Sequence, residues 1–238
     1  MTFQPMAVNP AQEEYLLKGR NGLETCLVLS EDYVEMFAKR KCMERETVKE
    51  LLRRLNESGA RYCLVDGLAL AHHSIPRLTQ DVDMLILPED LPLAQQALAG
   101  HELRVTAVVL IFQIGATRID LIPANLRAKR AAVLGAIDDV IDDLPVKVVN
   151  LRDLILLKLW AVPERPEMAK RTQDETDVIG LIEYNSEKVS AEDIAYICRA
   201  LLATAYTPEN VKKYRAQIEW LNGVLEKLGL SDRRYDLQ

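Results

Sequence analysis

The segment Asp81-Val82-Asp83-Met84-Leu85-Ile86-Leu87 puts two carboxylates at the start of an otherwise apolar run. Residues two apart in a strand point to the same face, so this pair projects together. Adjacent carboxylates repel and disfavour each other's ionisation, a conflict that a divalent cation removes. Hard oxygen donors of this kind suit Mg²⁺ or Mn²⁺. A third acid, Asp120, lies inside the β-rich run Thr117–Ile122, between Ile119 and Leu121. If that run pairs beside 82–87, the three acids could hold two metals, ~3.5–4 Å apart, as in phosphoryl transfer. Taken alone, acid-x-acid is common at strand edges, and Asp120 could face solvent.

Composition narrows the classes. The chain has 238 residues, of which 49% are apolar. That suggests one large domain or two small ones, with a core that needs no staples. Ten Gly and ten Pro are too few for a disordered or fibrous chain. A net charge of -6 is not the footprint of whole-surface nucleic-acid binding, although a local basic patch stays open. Aromatic content of 5% argues against a base-stacking platform. Apolar runs such as Ala107–Phe112 are too short to span a bilayer, so no membrane association is expected. The start of the chain lacks the pattern of a signal peptide. Cys26, Cys42, Cys63 and Cys198 show no ligand spacing and read as reduced thiols in a cytoplasmic protein.

Along the chain, 1–22 reads as a loosely held arm and 23–58 as helical, ending at Glu57-Ser58-Gly59. Arg61–Val65 reads as a buried strand, Leu68–His73 as a short helix, Ser74–Gln80 as a loop and Val82–Leu87 as a strand. Leu91–Ala99 should be a helix ended by Gly100. Val105–Ile114 and Thr117–Ile122 form a hairpin about Gly115-Ala116. Leu126–Ile141 is expected to be helical and Val146–Val149 a short strand. Beyond this, Asn150 with Asp153, Ser190 with Asp193, and Thr207-Pro208 are helix-start signals. The expected division is an arm and helix over 1–40, a mixed α/β core over 41–150 and a helical domain over 151–238.

The ordered set is Gly67-Leu68 after a strand, a short helix, Arg77-x-Thr79-x-Asp81-x-Asp83, and then Asp120. It resembles the nucleotidyltransferase superfamily with the polymerase-β-like core, and more narrowly the AbiEii-type toxin nucleotidyltransferases. Asp153-Leu154-Ile155-Leu156-Leu157-Lys158-Leu159-Trp160-Ala161 and Arg171-Thr172-Gln173-Asp174-Glu175-Thr176-Asp177 match that family's later helical motifs. The resemblance covers roughly 60–185. It implies an α/β fold, a small mixed sheet flanked by helices and followed by a helical domain.

It also implies a Mg²⁺- or Mn²⁺-dependent transfer of a nucleoside monophosphate from an NTP to an acceptor hydroxyl, releasing pyrophosphate. Asp81, Asp83 and Asp120 would be the metal ligands, with Asp120 also helping to deprotonate the acceptor. Gly67 and Leu68 would hold phosphates and Thr79 belongs to the same motif. Arg77 and Lys158 would offset triphosphate charge. Asp174 and Asp177, on one helix face, would partner Lys158 across the cleft. A tRNA acceptor and a cognate antitoxin protein are the partners so implied. From the residues alone, snorkelling to solvent is the favoured reading of Lys158.

Two positions depart from the family. Its turn begins with Gly where this chain has Asp66, and Gln173 replaces its usual Lys. An Asp there either points away or caps the helix and occupies phosphate-binding amides. The rival functions are therefore a drug-modifying nucleotidyltransferase and a degenerate module that binds nucleotide or partner without catalysis. His72 and His73 lack a third ligand and read as structural. Asp138-Asp139 and Asp142-Asp143 read as a solvated acidic face. Arg127, Lys129 and Arg130, and likewise Lys212, Lys213 and Arg215, read either as ordinary helix-surface bases or as contacts to an RNA backbone, and Trp160 and Trp220 read as core.

Overall fold

The computed structural model describes residue 23 and residues 44–76, 79–106 and 108–237. Helix α1 (Arg45–Ser58) buries Val48, Leu51, Leu52 and Leu55, one stripe at helical spacing. Each buried side chain of this kind stabilises by about 1.5–3 kcal/mol. The surface pairs Glu50–Arg53 and Glu50–Arg54 add only tenths of a kcal/mol. Gly59, at φ 74, ends the helix as its left-handed cap. The expected 23–58 helix is not continuous, because Glu44 is extended at the N-cap of α1, and residues 24–43 fall outside the described residues.

A seven-stranded sheet has the order β3-β4-β5-β2-β1-β7-β6. Its strands are β1 (Tyr62–Leu64), β2 (Asp81–Ile86), β3 (Glu102–Val105), β4 (Leu110–Ile114), β5 (Thr117–Pro123), β6 (Ile137–Ile141) and β7 (Leu144–Val148). Two neighbouring pairs are parallel, β2 with β5 and β1 with β7, and the rest are antiparallel. Helix α2 (Asp66–His72) follows β1 directly, beginning two residues earlier than expected. Helices α3 (Leu91–Ala97) and α4 (Arg127–Leu134) complete this part of the chain. The Gly115-Ala116 hairpin joins β4 and β5 as expected.

Two expectations are corrected. Leu126–Ile141 is not one helix: α4 stops at Gly135, and β6 pairs with β7 around a two-residue turn. Asp142 in that turn has φ 55, a conformation Asp tolerates well. The run Val105–Ile114 is split, because Thr106 closes a turn with Val109 between β3 and β4. The acidic face is also more engaged than expected. Asp138 pairs with Lys147, Asp139 meets His72, and Asp142 pairs with Arg45 and Lys49.

Helices α5 (Leu151–Ala161), α6 (Met168–Tyr184), α7 (Ala191–Ala203) and α8 (Pro208–Lys227) make up the last part. Their caps follow the expected signals. Asn150 accepts from Asp153 N–H, Ser190 and Asp193 form a capping box, and Thr207 accepts from Asn210 N–H before Pro208. Helix α5 packs on α6 and α7. Trp160 and Trp220 are half-buried against the core, and Lys129 Nζ lies 4.8 Å from the Trp160 ring. No described helix is long and apolar enough to cross a membrane. Cys63 and Cys198 are buried free thiols, each pushed up to about 12 by burial, whereas Cys26 and Cys42 lie outside the described residues.

Candidate active site

The parallel register of β2 and β5 sets Asp83 directly beside Asp120, and Asp81 beside Arg118. Carboxylate oxygens of Asp81, Asp83 and Asp120 come within 4.8 Å of one another. Burial holds Asp83 well above the usual carboxylate range, with the charges of Asp81, Asp66 and Asp120 adding to it. Asp81 is raised for the same reasons, burial first and then Asp120. Three convergent hard oxygen donors carrying this mutual repulsion fit a divalent cation in charge and chemistry. Arg118 donates to Asp120 in a two-pronged pair, Nε to Oδ1 at 2.8 Å and Nη2 to Oδ2 at 2.7 Å.

The approach of α2 to the acid strand depends on Gly67. A Cβ built there would sit 2.7 Å from both Cβ and Oγ1 of Thr79. Thr79 Oγ1 in turn donates to the carbonyl of Asp81 at 3.0 Å. Leu68 is buried in the core behind the turn, so only its backbone is offered towards the site. The Val65 N–H donates to the carbonyl of Asp83 at 2.9 Å, which draws residue 66 close to the acids. Arg77 and its expected role lie outside the described residues.

Asp66 has φ 52. This is the left-handed region, which a glycine occupies without strain. The Asp66 carboxylate accepts from Lys158 Nζ at 2.6 Å, and Val65, the N-cap residue of α2, makes no side-chain capping bond. This pairing with Lys158 is one the sequence did not anticipate, and Asp66 still lines the cleft beside the acids.

Lys158 is also within 2.9 Å of Asp174 Oδ1 and 2.8 Å of Asp177 Oδ2. Arg165 Nε donates to the other oxygen of Asp174 at 2.9 Å. Lys158, Asp174 and Asp177 are all buried. Burial alone would lower the Lys158 pKa, but Asp66, Asp177 and Asp174 outweigh it and hold the ammonium above its ordinary value. Solvent snorkelling is therefore not what this side chain does.

These elements border a cleft of about 530 Å³. Asp66, Asp81, Asp83, Asp120 and Asp174 supply its acids. Arg118, Arg165 and Lys170 supply its cations, and Gln173 also lines it. Lys158 and Asp177 lie behind the lining. The sequence reading missed Arg118, Arg165 and Lys170. Arg118 was findable, because two residues before Asp120 in a strand it shares that residue's face. Arg165 and Lys170 carried no such signal, since they reach the cleft only through the packing of α5 and α6. His72 and His73 are structural within the described residues: His72 Nδ1 meets Asp139, and His73 Nε2 meets the Val149 carbonyl at 2.8 Å.

No protein-family model matches the chain, and no curated protein matches it in sequence. Its fold is similar to that of ANT(2")-Ia in complex with adenylyl-2"-tobramycin, at 16% identity and a TM-score of 0.52, covering 68% of this chain and 98% of that one. It is also similar to an antigenic nucleotidyltransferase-like protein from Paracoccidioides brasiliensis, at 15% identity and a TM-score of 0.51, covering 77% of this chain and 90% of that one. The chain has the nucleotidyltransferase fold.

Proposed function

We propose that the protein is a metal-dependent nucleotidyltransferase, moving a nucleoside monophosphate from an NTP to an acceptor hydroxyl. The observation that carries this reading is the convergence of Asp81, Asp83 and Asp120 at a cleft also lined by Arg165 and Lys170. Mg²⁺ or Mn²⁺ at the three acids would supply charge stabilisation at the reacting phosphate.

The chain's own residues do the remaining work. Asp120 takes the proton of the acceptor hydroxyl on a carboxylate oxygen. Arg165 and Lys170 attract the triphosphate and compensate for Gln173. The backbone N–H groups at Gly67 and Leu68, in the first turn of α2, receive phosphate oxygens. Thr79 braces Asp81 against that turn. Lys158 works from behind the cleft wall, holding Asp66, Asp174 and Asp177 together. Positioning and charge compensation supply most of the rate.

The acceptor classes are a tRNA 3′ end, as the AbiEii-type resemblance implies, and a small-molecule hydroxyl. The bound adenylyl-2"-tobramycin of ANT(2")-Ia is an instance of the second. A toxin role would bring an antitoxin partner. The test is label transfer from each of four α-labelled NTPs with Mg²⁺, offered total tRNA or tobramycin, with Asp81→Ala as control. Transfer by wild type alone supports the reading and names the acceptor class. If folded wild type fails to bind Mg-NTP at all, the reading is wrong.

A further inference from the structure

Two clusters of cation and acid border the cleft, and they differ in burial. The Lys158 cluster is locked. Its side-chain exposure is 5%, and that of Asp174 and Asp177 is 4% and 5%. The Arg118–Asp120 pair is loose by comparison, because the Arg118 side chain is 47% exposed. The Asp120 side chain is only 14% exposed, but its guanidinium partner is open to solvent, so exchanging that partner for another cation costs little. Yet its geometry is the strong, two-pronged one, and it occupies both oxygens of the single acid that β5 contributes to the metal-type cluster.

From this contrast we propose that Arg118 is a displaceable counter-ion of the acid cluster. It holds Asp120 in the cation-free protein, and it turns to the nucleotide's phosphates once Asp120 coordinates a divalent cation. The inference rests on the nucleotidyltransferase reading above and adds a residue to it.

Three features support it. The register places Arg118 beside Asp81 and on the same strand face as Asp120, so its charge lies next to the cluster and opposes cation entry. Its guanidinium lines the cleft, so release from Asp120 leaves it facing the bound substrate. A planar fork that fits a carboxylate also fits a phosphate, and an ammonium has no such fork.

The consequences have opposite signs for the two ligands. Arg118→Gln removes both a competitor and a like charge, so Mn²⁺ alone should bind roughly three- to fivefold tighter by calorimetry. The same variant should bind a non-hydrolysable NTP, at saturating Mn²⁺, on the order of tenfold more weakly, or about 1.4 kcal/mol. Arg118→Lys should fall between wild type and Gln for both ligands. Thermal denaturation of each protein checks the fold.

Unchanged or weaker Mn²⁺ affinity in Arg118→Gln, beside normal binding by wild type, overturns the proposal and leaves the parent reading intact. Tighter Mn²⁺ with unchanged nucleotide affinity overturns the transfer to phosphate. If neither protein binds Mn²⁺, the parent reading fails and this one with it.

Discussion

Asp83 and Asp120 stand directly beside one another across the parallel pair of β2 and β5, although a helix and two strands separate them in the chain. Nothing in the local sequence of either strand requires this pairing. The sheet accepts the repulsion at a cost to stability, which is a common signature of a functional site.

Removing that repulsion should therefore stabilise the fold. Asp83→Asn is expected to gain about 1 kcal/mol, raising Tm by roughly 2–4 °C. Mn²⁺ should raise the Tm of wild type but not that of the variant. A variant less stable than wild type in calorimetric melts would show that Asp83 is tied into the fold by its charge.

Lys158→Met leaves Asp66, Asp174 and Asp177 without their shared ammonium. Breaking a buried pair in this way costs about 3–5 kcal/mol. Urea unfolding should show the loss, and Lys158→Met with Asp174→Asn together should lose less than the sum of the two. A loss under 1 kcal/mol for Lys158→Met would mean the ammonium is not the centre of that cluster.

The contact of Gly67 with Thr79 leaves no room for a methyl group. Gly67→Ala should destabilise by about 1–3 kcal/mol. The same change made in a Thr79→Gly background should cost measurably less. Equal costs in the two backgrounds would sink the contact as the cause.

Asp66 occupies a left-handed position and adds a carboxylate to the cleft. Asp66→Gly relieves both, while Lys158 keeps Asp174 and Asp177. Mg-NTP should bind the variant more tightly in calorimetry. Equal affinity in mutant and wild type would refute this.

His73 is buried, and burial pulls its imidazole down to about 4. The unfolded chain titrates near 6.5, so between these values it binds more protons than the native state. Stability is therefore full above about pH 6.5 and falls as pH drops towards 4, by roughly 3 kcal/mol at most from this group. His73→Gln keeps a donor for the Val149 carbonyl and should flatten that limb of a stability–pH profile. An unaltered profile would exclude His73 as its source.

Much of the fold was legible because its signals are local. Gly59 and Gly100 adopt the left-handed φ of helix and turn ends, and Ser190-x-x-Asp193 forms its capping box. The Gly115-Ala116 hairpin likewise depends on neighbours in the chain. Leu126–Ile141 misled because Ile137, Val140 and Ile141 fall at i, i+3 and i+4, a helical spacing, and only pairing with β7 makes the segment a strand.

The carboxylate set was readable for a similar reason: alternation along one strand puts Asp81 and Asp83 on the same face, whatever the strand packs against. The sequence by itself thus determined most of the elements, the caps of the last helices and the chemical character of the site. Only the tertiary structure decided that Asp120 lies beside Asp83, that Asp66 turns to Lys158, that Lys158 is enclosed by three acids, and that Arg118, Arg165 and Lys170 reach the cleft. Each of those facts joins residues far apart in the chain. Strand order and helix packing set such pairings through burial of the whole core, and no short-range periodicity encodes them.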